Sequence, residues 1–463
     1  MKKSVLALSV CLCTSLLYGT VSYAASSDVQ SLDMSAFKAA TTAKNTVIVD
    51  TRDDSVYNGF KEKGADRGGH VPKAVQFTTE WLDKIQADKF ESFAADKGLT
   101  KDKTLVFYDI DPVRTERVAA AFASRGYKVN VFNQFVDYTK DKSNRLEYFP
   151  EYQLLVSPTW VKDVLDGKRA ETYKGGPVKV FHVAWGDIAQ ADGYKVHVPG
   201  AFHFNTDWIE NGPIWNLSDP SVILANLLKQ GITKDTTVIL YAEHPMPAFR
   251  VLWALYWAGV EDIRIMNGGM EAWCRHKYPI ETKVNTPQPV STFGTTIPSH
   301  PEVDIATARE AYEAQKHGTK LVSIRSWDEY VGNVSGYDYI PRAGEPAGAI
   351  WGFGGTDPNN SAAFYDPDGT LRNPYEIFNL WKGQGLHKGD SLAFYCGTGW
   401  GAAIPWLITK MAGWPNTKVF DGGWNDWQMD MTLPVLHVAP GTKRPDMKND
   451  YGATQSSGTS CKF

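Results

Sequence analysis

The sequence has no excess of positive charge. Its 463 residues carry 48 Lys and Arg against 52 Asp and Glu, a formal net charge of −4. Proteins that bind nucleic acid need a basic surface, so this balance speaks against that class. Beyond the N-terminus the sequence also lacks any run of about 20 apolar residues, the length that a membrane-spanning helix needs. We therefore expect neither a nucleic-acid partner nor a membrane anchor.

The N-terminus has the pattern of a secretory signal peptide. Two lysines follow Met1, an apolar run covers residues 5–17, and small residues lead up to Ala25. Neither cysteine of this segment follows a small residue, as a lipoprotein signal would require. The pattern predicts a signal peptide over residues 1–25, export, and a periplasmic location.

The stretch from Tyr395 to Ala402, Tyr-Cys-Gly-Thr-Gly-Trp-Gly-Ala, places a cysteine in a glycine-rich loop between a strand pattern and a helix pattern. Its three glycines allow successive backbone N–H groups to converge on one point, and such a nest at a helix N-terminus favours negative charge. We expect this nest to lower the pKa of Cys396 from the usual value of about 8.5 and to make the thiolate a nucleophile. A buried structural cysteine is the alternative reading of the loop.

A long internal repeat gives this loop a context. Three segments share an apolar strand with a polar end, then a His-Val-Pro-x-Ala or Glu-Pro-Ala-Gly-Ala element, a second strand that ends in Tyr, a helix pattern and a closing turn. The residues that follow this Tyr are Asp109, Ala242 and Cys396, and the closing turns follow them at nearly the same distance in each segment. Alternating strands and helices predict an α/β fold in which each unit is a small, mostly parallel sheet flanked by helices. In such sheets ligands bind beyond the carboxyl ends of the strands, where Cys396 falls.

These motifs together resemble the rhodanese-like sulfurtransferases, and the resemblance covers three tandem domains. The family pattern is matched by Asp50-Thr-Arg52, Gly69-His-Val-Pro72, the loop from Tyr395 to Gly401, Gly268-Gly-Met-Glu-Ala-Trp273 and Gly422-Gly-Trp-Asn-Asp-Trp427. The third unit alone has the cysteine, so the resemblance implies that it is catalytic. The other two units resemble inactive rhodanese domains, which serve structure, domain orientation or partner binding.

The resemblance implies a thiosulfate sulfurtransferase. The loop from Cys396 to Gly401 has six residues, which resembles the sulfur-transferring members rather than the phosphatases of this fold. Cys396 would take the outer sulfur of a small anionic donor such as thiosulfate and pass the persulfide sulfur to a thiophilic acceptor, cyanide, a thiol or a protein. The substrate-binding residues implied are Gly397, Thr398, Gly399, Trp400, Gly401 and Arg325, with no metal and no organic cofactor.

Two departures from the family pattern leave the substrate open. The loop has no basic residue in its second half, where thiosulfate-using relatives usually have one or a hydroxyl. Arg325 is the nearest candidate cation by motif, although Ser323 replaces the family acid, and it either contacts substrate or braces the loop through carbonyl groups. The alternative function is an exported sulfur-delivery or thiol-sensing binding protein with little turnover of small molecules.

The repeat also sets the expected boundaries. The signal peptide is followed by domains over residues 26–150, 151–299 and 300–435 and by a tail over 436–463. In the third domain, insertions at 330–339 and 352–371 are rich in Gly, Tyr, Asp and Asn, and they either rim the pocket or pack between domains.

Cysteine is scarce. Removal of the signal peptide leaves Cys274, Cys396 and Cys461, an odd number for an oxidising compartment. The reaction requires Cys396 to stay free, and a disulfide between Cys274 and Cys461 is the hypothesis for the other two.

Overall fold

The computed structural model describes residues 29–436, 438 and 441–445. The predicted signal peptide and most of the predicted tail, including Cys461, lie outside the described residues. In the described part, no helix is long and apolar enough to cross a membrane.

The first unit is a five-stranded parallel sheet with helices on its faces. Its strands are β1 (Gln30–Ser31), β2 (Thr46–Asp50), β3 (Val75–Gln76), β4 (Thr104–Tyr108) and β5 (Lys128–Phe132). Its helices are α1 (Met34–Ala40), α2 (Asp54–Asn58), α3 (Phe90–Asp96), α4 (Pro112–Ala123) and α5 (Phe135–Lys140).

The second unit repeats this sheet and adds a two-stranded hairpin. Its strands are β6 (Leu155–Val156), β7 (Val178–Ala184), β8 (Phe202–Asn205), β9 (Glu210–Asn211), β10 (Asn216–Leu217), β11 (Thr237–Tyr241) and β12 (Asp262–Met266). Its helices are α6 (Pro158–Leu165), α7 (Pro220–Lys229), α8 (Met246–Ala258) and α9 (Gly269–Arg275).

The third unit has the same sheet again. Its strands are β13 (Asp304–Ile305), β14 (Lys320–Ser323), β15 (Ile350–Trp351), β16 (Leu392–Tyr395) and β17 (Thr417–Phe420). Its helices are α10 (Ala308–Lys316), α11 (Trp327–Tyr330), α12 (Pro374–Gly383), α13 (Ala403–Met411) and α14 (Gly423–Met429).

The strand order is the same in all three sheets. It runs β1-β5-β4-β2-β3, β6-β12-β11-β7-β8 and β13-β17-β16-β14-β15. The predicted α/β class with three mostly parallel sheets is therefore confirmed, while the exact domain boundaries stay predictions. In each unit the fourth strand of the five is central, and because the strands are parallel its carboxyl end lies at the edge where ligands bind.

The second and third units share one apolar core. Helix α8 of the second unit packs against α13 of the third, and the cluster that joins them includes Phe249, Leu252, Trp253, Trp406 and Leu407, all fully or almost fully buried. Burial of this much apolar surface favours a fixed arrangement of the two units.

A buried ion-pair network crosses the same junction. Arg250 of α8 pairs with Glu210 at 3.0 Å and with Asp421 of the third unit at 2.6 Å. Glu210 in turn accepts a hydrogen bond from the indole N–H of Trp400 in the third unit, at 2.8 Å. Burial raises the pKa of Glu210 to about 7, although the neighbouring Arg250 opposes that shift. The network therefore depends on Arg250, which balances two buried carboxylates.

Of the two cysteines in the hypothetical disulfide, Cys274 lies among the described residues. Cys274 is disulfide-bonded, whereas Cys396 is a free thiol, as predicted. The expected partner of Cys274, Cys461, lies outside the described residues, so that pairing stays a prediction.

Replacement of Arg250 by Met tests the junction. We expect Arg250→Met to lower the free energy of unfolding by about 3–5 kcal/mol, because it leaves two carboxylates buried without their counter-charge. The matched control is Arg117→Met, which removes an ion pair of the same 2.6 Å length between exposed partners and should cost less than about 1 kcal/mol. Urea unfolding followed by tryptophan fluorescence measures both, and equal losses in the two variants would contradict the account.

Candidate active site

The predicted nucleophile lies at the centre of the third sheet. Cys396 directly follows β16, and its side chain is almost buried, with 7 % of the residue exposed. Helix α13 begins at Ala403, and Pro405 lies in its first turn. The loop between strand and helix thus faces the edge at which the parallel strands end.

The loop forms a cradle of backbone N–H groups. In the described part of the chain, the N–H groups of residues 397–402 donate to no protein acceptor, although these residues are almost all buried. Gly399 has a left-handed φ of 83°, and a Cβ there would meet the carbonyl oxygen of Asp421 at 2.7 Å. Gly397 lies so close to the ring of Tyr337 that a Cβ would approach its Cε2 to 2.2 Å. Successive unsatisfied N–H groups at the N-terminus of a helix favour negative charge.

Arg325 lies at the pocket wall, and its guanidinium donates hydrogen bonds to protein acceptors. It donates to Glu329 at 3.0 Å, to Glu345 at 2.5 Å, and to the carbonyl oxygens of Gly344 and Ser335 at 2.7 Å each. Burial disfavours its charge, but Glu345 and Glu329 raise its pKa above the ordinary value. These contacts tie the 330–339 insertion to the strand end below the loop.

The first unit has the Asp-x-Arg pair of the family pattern, which the third unit lacks. There Arg52 pairs with Asp50, from the same strand end, at 2.8 and 2.5 Å and donates to Gly69 O. In the third unit Ser323 takes the place of Asp50, and the acid comes instead from Glu345. Tyr395 of β16 donates to that carboxylate at 2.9 Å, so the exchange keeps a buried acid beneath the loop.

The corresponding loop of the first unit is occupied by its own side chains. Asp109, at the cysteine position, pairs with Arg114 at 2.6 Å and accepts a hydrogen bond from Thr51 at 3.0 Å. Helix α4 begins at Pro112, only three residues later, which leaves a shorter loop than in the third unit. The first unit therefore has neither the thiol nor the open cradle.

The second unit contributes to a pocket around Cys396 instead. A cavity of about 1250 Å³ lies between the carboxyl ends of the strands of the second and third units. Its third-unit wall includes Cys396, Thr398 and Trp400, and its second-unit wall includes His182, Ala184, Trp185, Trp215, Glu243 and His244. Both insertions of the third unit also line it, through Tyr337, Tyr339 and residues 356–361. The structure shows both roles that were left open for the insertions. They rim the pocket, and the later one also packs between domains, where Asp366 pairs with Lys97 at 3.3 Å and the carbonyl oxygen of Asp368 accepts a hydrogen bond from Arg275 at 2.9 Å.

The second unit can line this cavity because it lacks the charged residues of its neighbours. By sheet register, His182 stands where Asp50 and Ser323 stand, and Ala184 stands where Arg52 and Arg325 stand. The small side chain of Ala184 leaves open the space that a guanidinium fills in the other two units.

The described pocket wall has no lysine or arginine outside an ion pair. Among the described residues that line it, Arg325 is the one lysine or arginine, and it is paired with two glutamates. Burial and then the neighbouring Cys396 raise the pKa of Tyr337 well above its usual value, so this phenol stays protonated at neutral pH. An anion at Cys396 would therefore be held by backbone N–H groups and neutral donors rather than by a cation.

Five of the predicted site residues line the cavity, namely Cys396, Thr398, Trp400, Gly401 and Arg325, whereas Gly397 and Gly399 are not part of its wall. The roles assigned to all seven stay predictions. Tyr337, Glu345, Glu210, Arg250 and His182 were missed. The repeat held a usable signal for His182 and Glu345, because both occupy positions where the family pattern has a different residue type.

Three comparisons place the chain among known proteins. A family model described as "Rhodanese-like domain" matches residues 33–136, 160–276 and 307–430. The chain is 33% identical to the thiosulfate sulfurtransferase YnjE of Escherichia coli over 411 residues, which covers 87% of this chain and 91% of that protein. It is 26% identical to a probable 3-mercaptopyruvate sulfurtransferase of Pseudomonas aeruginosa over 52% of this chain and 84% of that protein.

Solved structures agree with these relatives. A variant of EanB in complex with ergothioneine superposes with a TM-score of 0.85 at 30% identity, and the match covers 89% of this chain and 100% of that chain. The anaerobic ergothioneine biosynthesis enzyme of Chlorobium limicola, in complex with its natural substrate trimethyl histidine, superposes with a TM-score of 0.84 at 31% identity over the same shares. Another EanB structure is described as a cysteine persulfide with ergothioneine. This chain therefore belongs to the rhodanese family of sulfurtransferases and contains three rhodanese-like domains in tandem.

Proposed function

We propose that the protein moves a sulfane sulfur from a small anionic donor, such as thiosulfate, to a thiophilic acceptor through a persulfide on Cys396. The observation that carries this proposal is the cradle, in which a free thiol is followed by six backbone N–H groups, those of residues 397–402, that donate to no acceptor among the described residues. Such N–H groups stabilise the charge of the attacking thiolate and of the persulfide that replaces it.

The first half-reaction transfers one sulfur atom. The Cys396 thiolate attacks the outer sulfur of thiosulfate, a new S–S bond forms, and the bond between the two thiosulfate sulfurs breaks with its electron pair leaving on sulfite. In the second half-reaction the acceptor attacks the outer sulfur of the persulfide and restores the thiolate. This is covalent catalysis in two steps, with a ping-pong order.

The other residues of the site support this chemistry in different ways. We propose that Arg325 braces the loop and does not contact substrate, because its N–H groups donate to Glu329, Glu345 and two carbonyl oxygens. Trp400 walls the pocket and holds it to the second unit through Glu210. Thr398 and Gly401 line the cavity in which the transferred sulfur would lie.

We further propose that the acceptor is an organic molecule rather than cyanide. A cavity of about 1250 Å³ is much larger than cyanide requires, and it exceeds the volume of roughly 300–1,000 Å³ that is typical of pockets for small organic ligands. The similarity to EanB structures that contain trimethyl histidine or ergothioneine supports an acceptor of that size. The aromatic walls, among them Trp185, Trp215, Tyr337 and Tyr339, suit such a ligand.

The second candidate function is a sulfur-delivery or thiol-sensing protein that turns over small donors poorly. The lack of an uncommitted cation in the described pocket wall favours it, since thiosulfate carries two negative charges. The two candidates differ in whether free thiosulfate loads Cys396.

The direct test is the intact mass of the protein after incubation with thiosulfate and then with cyanide. We expect wild type to gain the mass of one sulfur atom and to lose it again to cyanide, and we expect Cys396→Ser to gain nothing. A reduced, accessible Cys396 that gains no sulfur from thiosulfate would favour the delivery function. Sulfur gain in Cys396→Ser would contradict both candidates.

Substitution of Gly399 tests the cradle. Gly399→Ala places a Cβ 2.7 Å from the carbonyl oxygen of Asp421 and forces a left-handed φ of 83° on a residue that disfavours it, so the N–H groups must move. We expect sulfur loading to slow by about a hundredfold, the scale seen when one donor to a developing anion is lost.

The matched control is Gly385→Ala, at a φ of 74° in the same unit with nothing within 4 Å of the added Cβ. It bears the same backbone strain without touching the loop, and it should load sulfur at the wild-type rate. Equal rates in Gly399→Ala and Gly385→Ala would show that the cradle does not drive the reaction.

A further inference from the structure

The pocket has a polar corner on its second-unit wall that the sulfur-transfer steps do not use. His182 comes from β7, Glu243 follows β11, and Gly193 lies in the short 3₁₀ helix Asp192–Lys195. All three line the cavity that contains Cys396. The corner thus lies on the second unit, which has Ala242 at the position of the nucleophile.

The backbone of Gly193 keeps this corner open. A Cβ added to Gly193 would lie 2.6 Å from Glu243 Oε2 and 2.7 Å from His182 Nε2. The carboxylate oxygen and the ring nitrogen therefore converge on one small space, which any side chain at this position would fill.

His182 has hydrogen-bonding capacity that the described protein does not use. The residue is 2 % exposed, and neither of its ring nitrogens has a hydrogen-bond partner among the described residues. Burial, and then the neighbouring His203 and His197, lower its pKa to about 3. At neutral pH the ring is uncharged, so one nitrogen accepts and the other donates. Buried polar atoms without partners are rare and indicate a missing ligand or water.

The charges around the corner favour a cation. Glu243 and Asp357 line the pocket, and so does Asp192, which pairs with the exposed Lys195 at 2.6 Å. The guanidinium of Arg325 is paired with Glu329 and Glu345. In a partly enclosed pocket an excess of one charge raises the local concentration of ligands of the other sign.

We propose that Glu243 and His182, over Gly193, form a subsite that binds an N–H-bearing cationic nitrogen of the sulfur acceptor. Glu243 pairs with the positive charge, and the free ring nitrogen of His182 accepts one of the ammonium N–H bonds. The acceptor then spans the pocket, with its sulfur-receiving atom at Cys396 and its cation on the second unit. This inference rests on the proposed function, because it names the class of acceptor for the same persulfide.

The step that the subsite serves is a simple exchange. The acceptor thiolate attacks the outer sulfur of the Cys396 persulfide, a new S–S bond forms on the acceptor, and the old bond breaks with its electron pair returning to Cys396. No external oxidant or reductant is needed. The subsite touches only the bound acceptor, so sulfur loading from the donor proceeds without it.

The test compares two thiols of similar size and opposite charge, cysteamine and 2-mercaptoethanesulfonate. The protein is first loaded with sulfur and checked by intact mass, and the discharge of the persulfide is then timed with each thiol. The same thiols reacting with glutathione persulfide correct for their different intrinsic reactivity. We expect corrected discharge by cysteamine to be faster by about tenfold or more, and the preference to shrink with added salt.

Three variants decide the origin of that preference. Glu243→Gln removes the charge at nearly constant size, and Gly193→Ala fills the space, so both should bring the corrected ratio close to one. The control is Gly383→Ala, where a Cβ meets nothing within 4 Å, and it should keep the wild-type ratio.

Two results would overturn the inference. A loaded wild-type protein without a preference for cysteamine would remove the cation subsite, and so would a preference that survives in both Glu243→Gln and Gly193→Ala. Failure of Cys396 to load from any sulfane-sulfur donor is a different outcome, because it refutes the proposed function and the subsite with it.

Discussion

The buried contact of Arg250 with Glu210 and Asp421 holds together the two units that build the pocket. Asp421 stands in the closing turn of the third unit and also accepts a hydrogen bond from the backbone N–H of Leu217 at 2.8 Å. Its carbonyl oxygen lies against Gly399 of the catalytic loop. The shape of the loop is thus coupled to the docking of the second unit, because one aspartate takes part in both. A buried pair of this kind costs desolvation, so it contributes more to a fixed arrangement than to net stability.

The three units show how one fold can be divided between roles. In the first unit, Asp50 and Arg52 at the end of β2 form a buried ion pair. The third unit keeps the arginine and takes its acid from Glu345, which frees the end of β14 to border the pocket. The second unit gives up both charges, and His182 and Ala184 face the open space. The second unit therefore has no nucleophile of its own but lines the cavity around Cys396, which lies between the two units.

Much of the fold follows from local patterns in the sequence, and much of the site does not. The loop of Cys396 and the repeated strand order are set by short-range signals, such as glycines at alternate positions and strands that alternate with helices. The pocket depends on contacts between residues far apart in the chain, such as Glu210 with Trp400 and Gly397 with Tyr337. No spacing rule predicts these contacts, because the way two units dock is decided by the shapes and charges of whole surfaces. The role of Arg325 was open for a similar reason, since three of its four acceptors, Ser335, Gly344 and Glu345, lie 10 to 20 residues further along the chain.

The central claim is that the second unit forms half of the site at which the Cys396 persulfide is discharged. Ala184→Arg tests it most directly, because it restores the arginine that the other two units have at this position and fills the pocket from the second-unit side. The quantity to measure is the discharge rate with the neutral organic thiol N-acetylcysteamine divided by the rate with cyanide. The account predicts that this ratio falls by about tenfold, since a filled pocket excludes the larger acceptor more than the smaller one. An unchanged ratio in a folded, sulfur-loaded Ala184→Arg protein would contradict it.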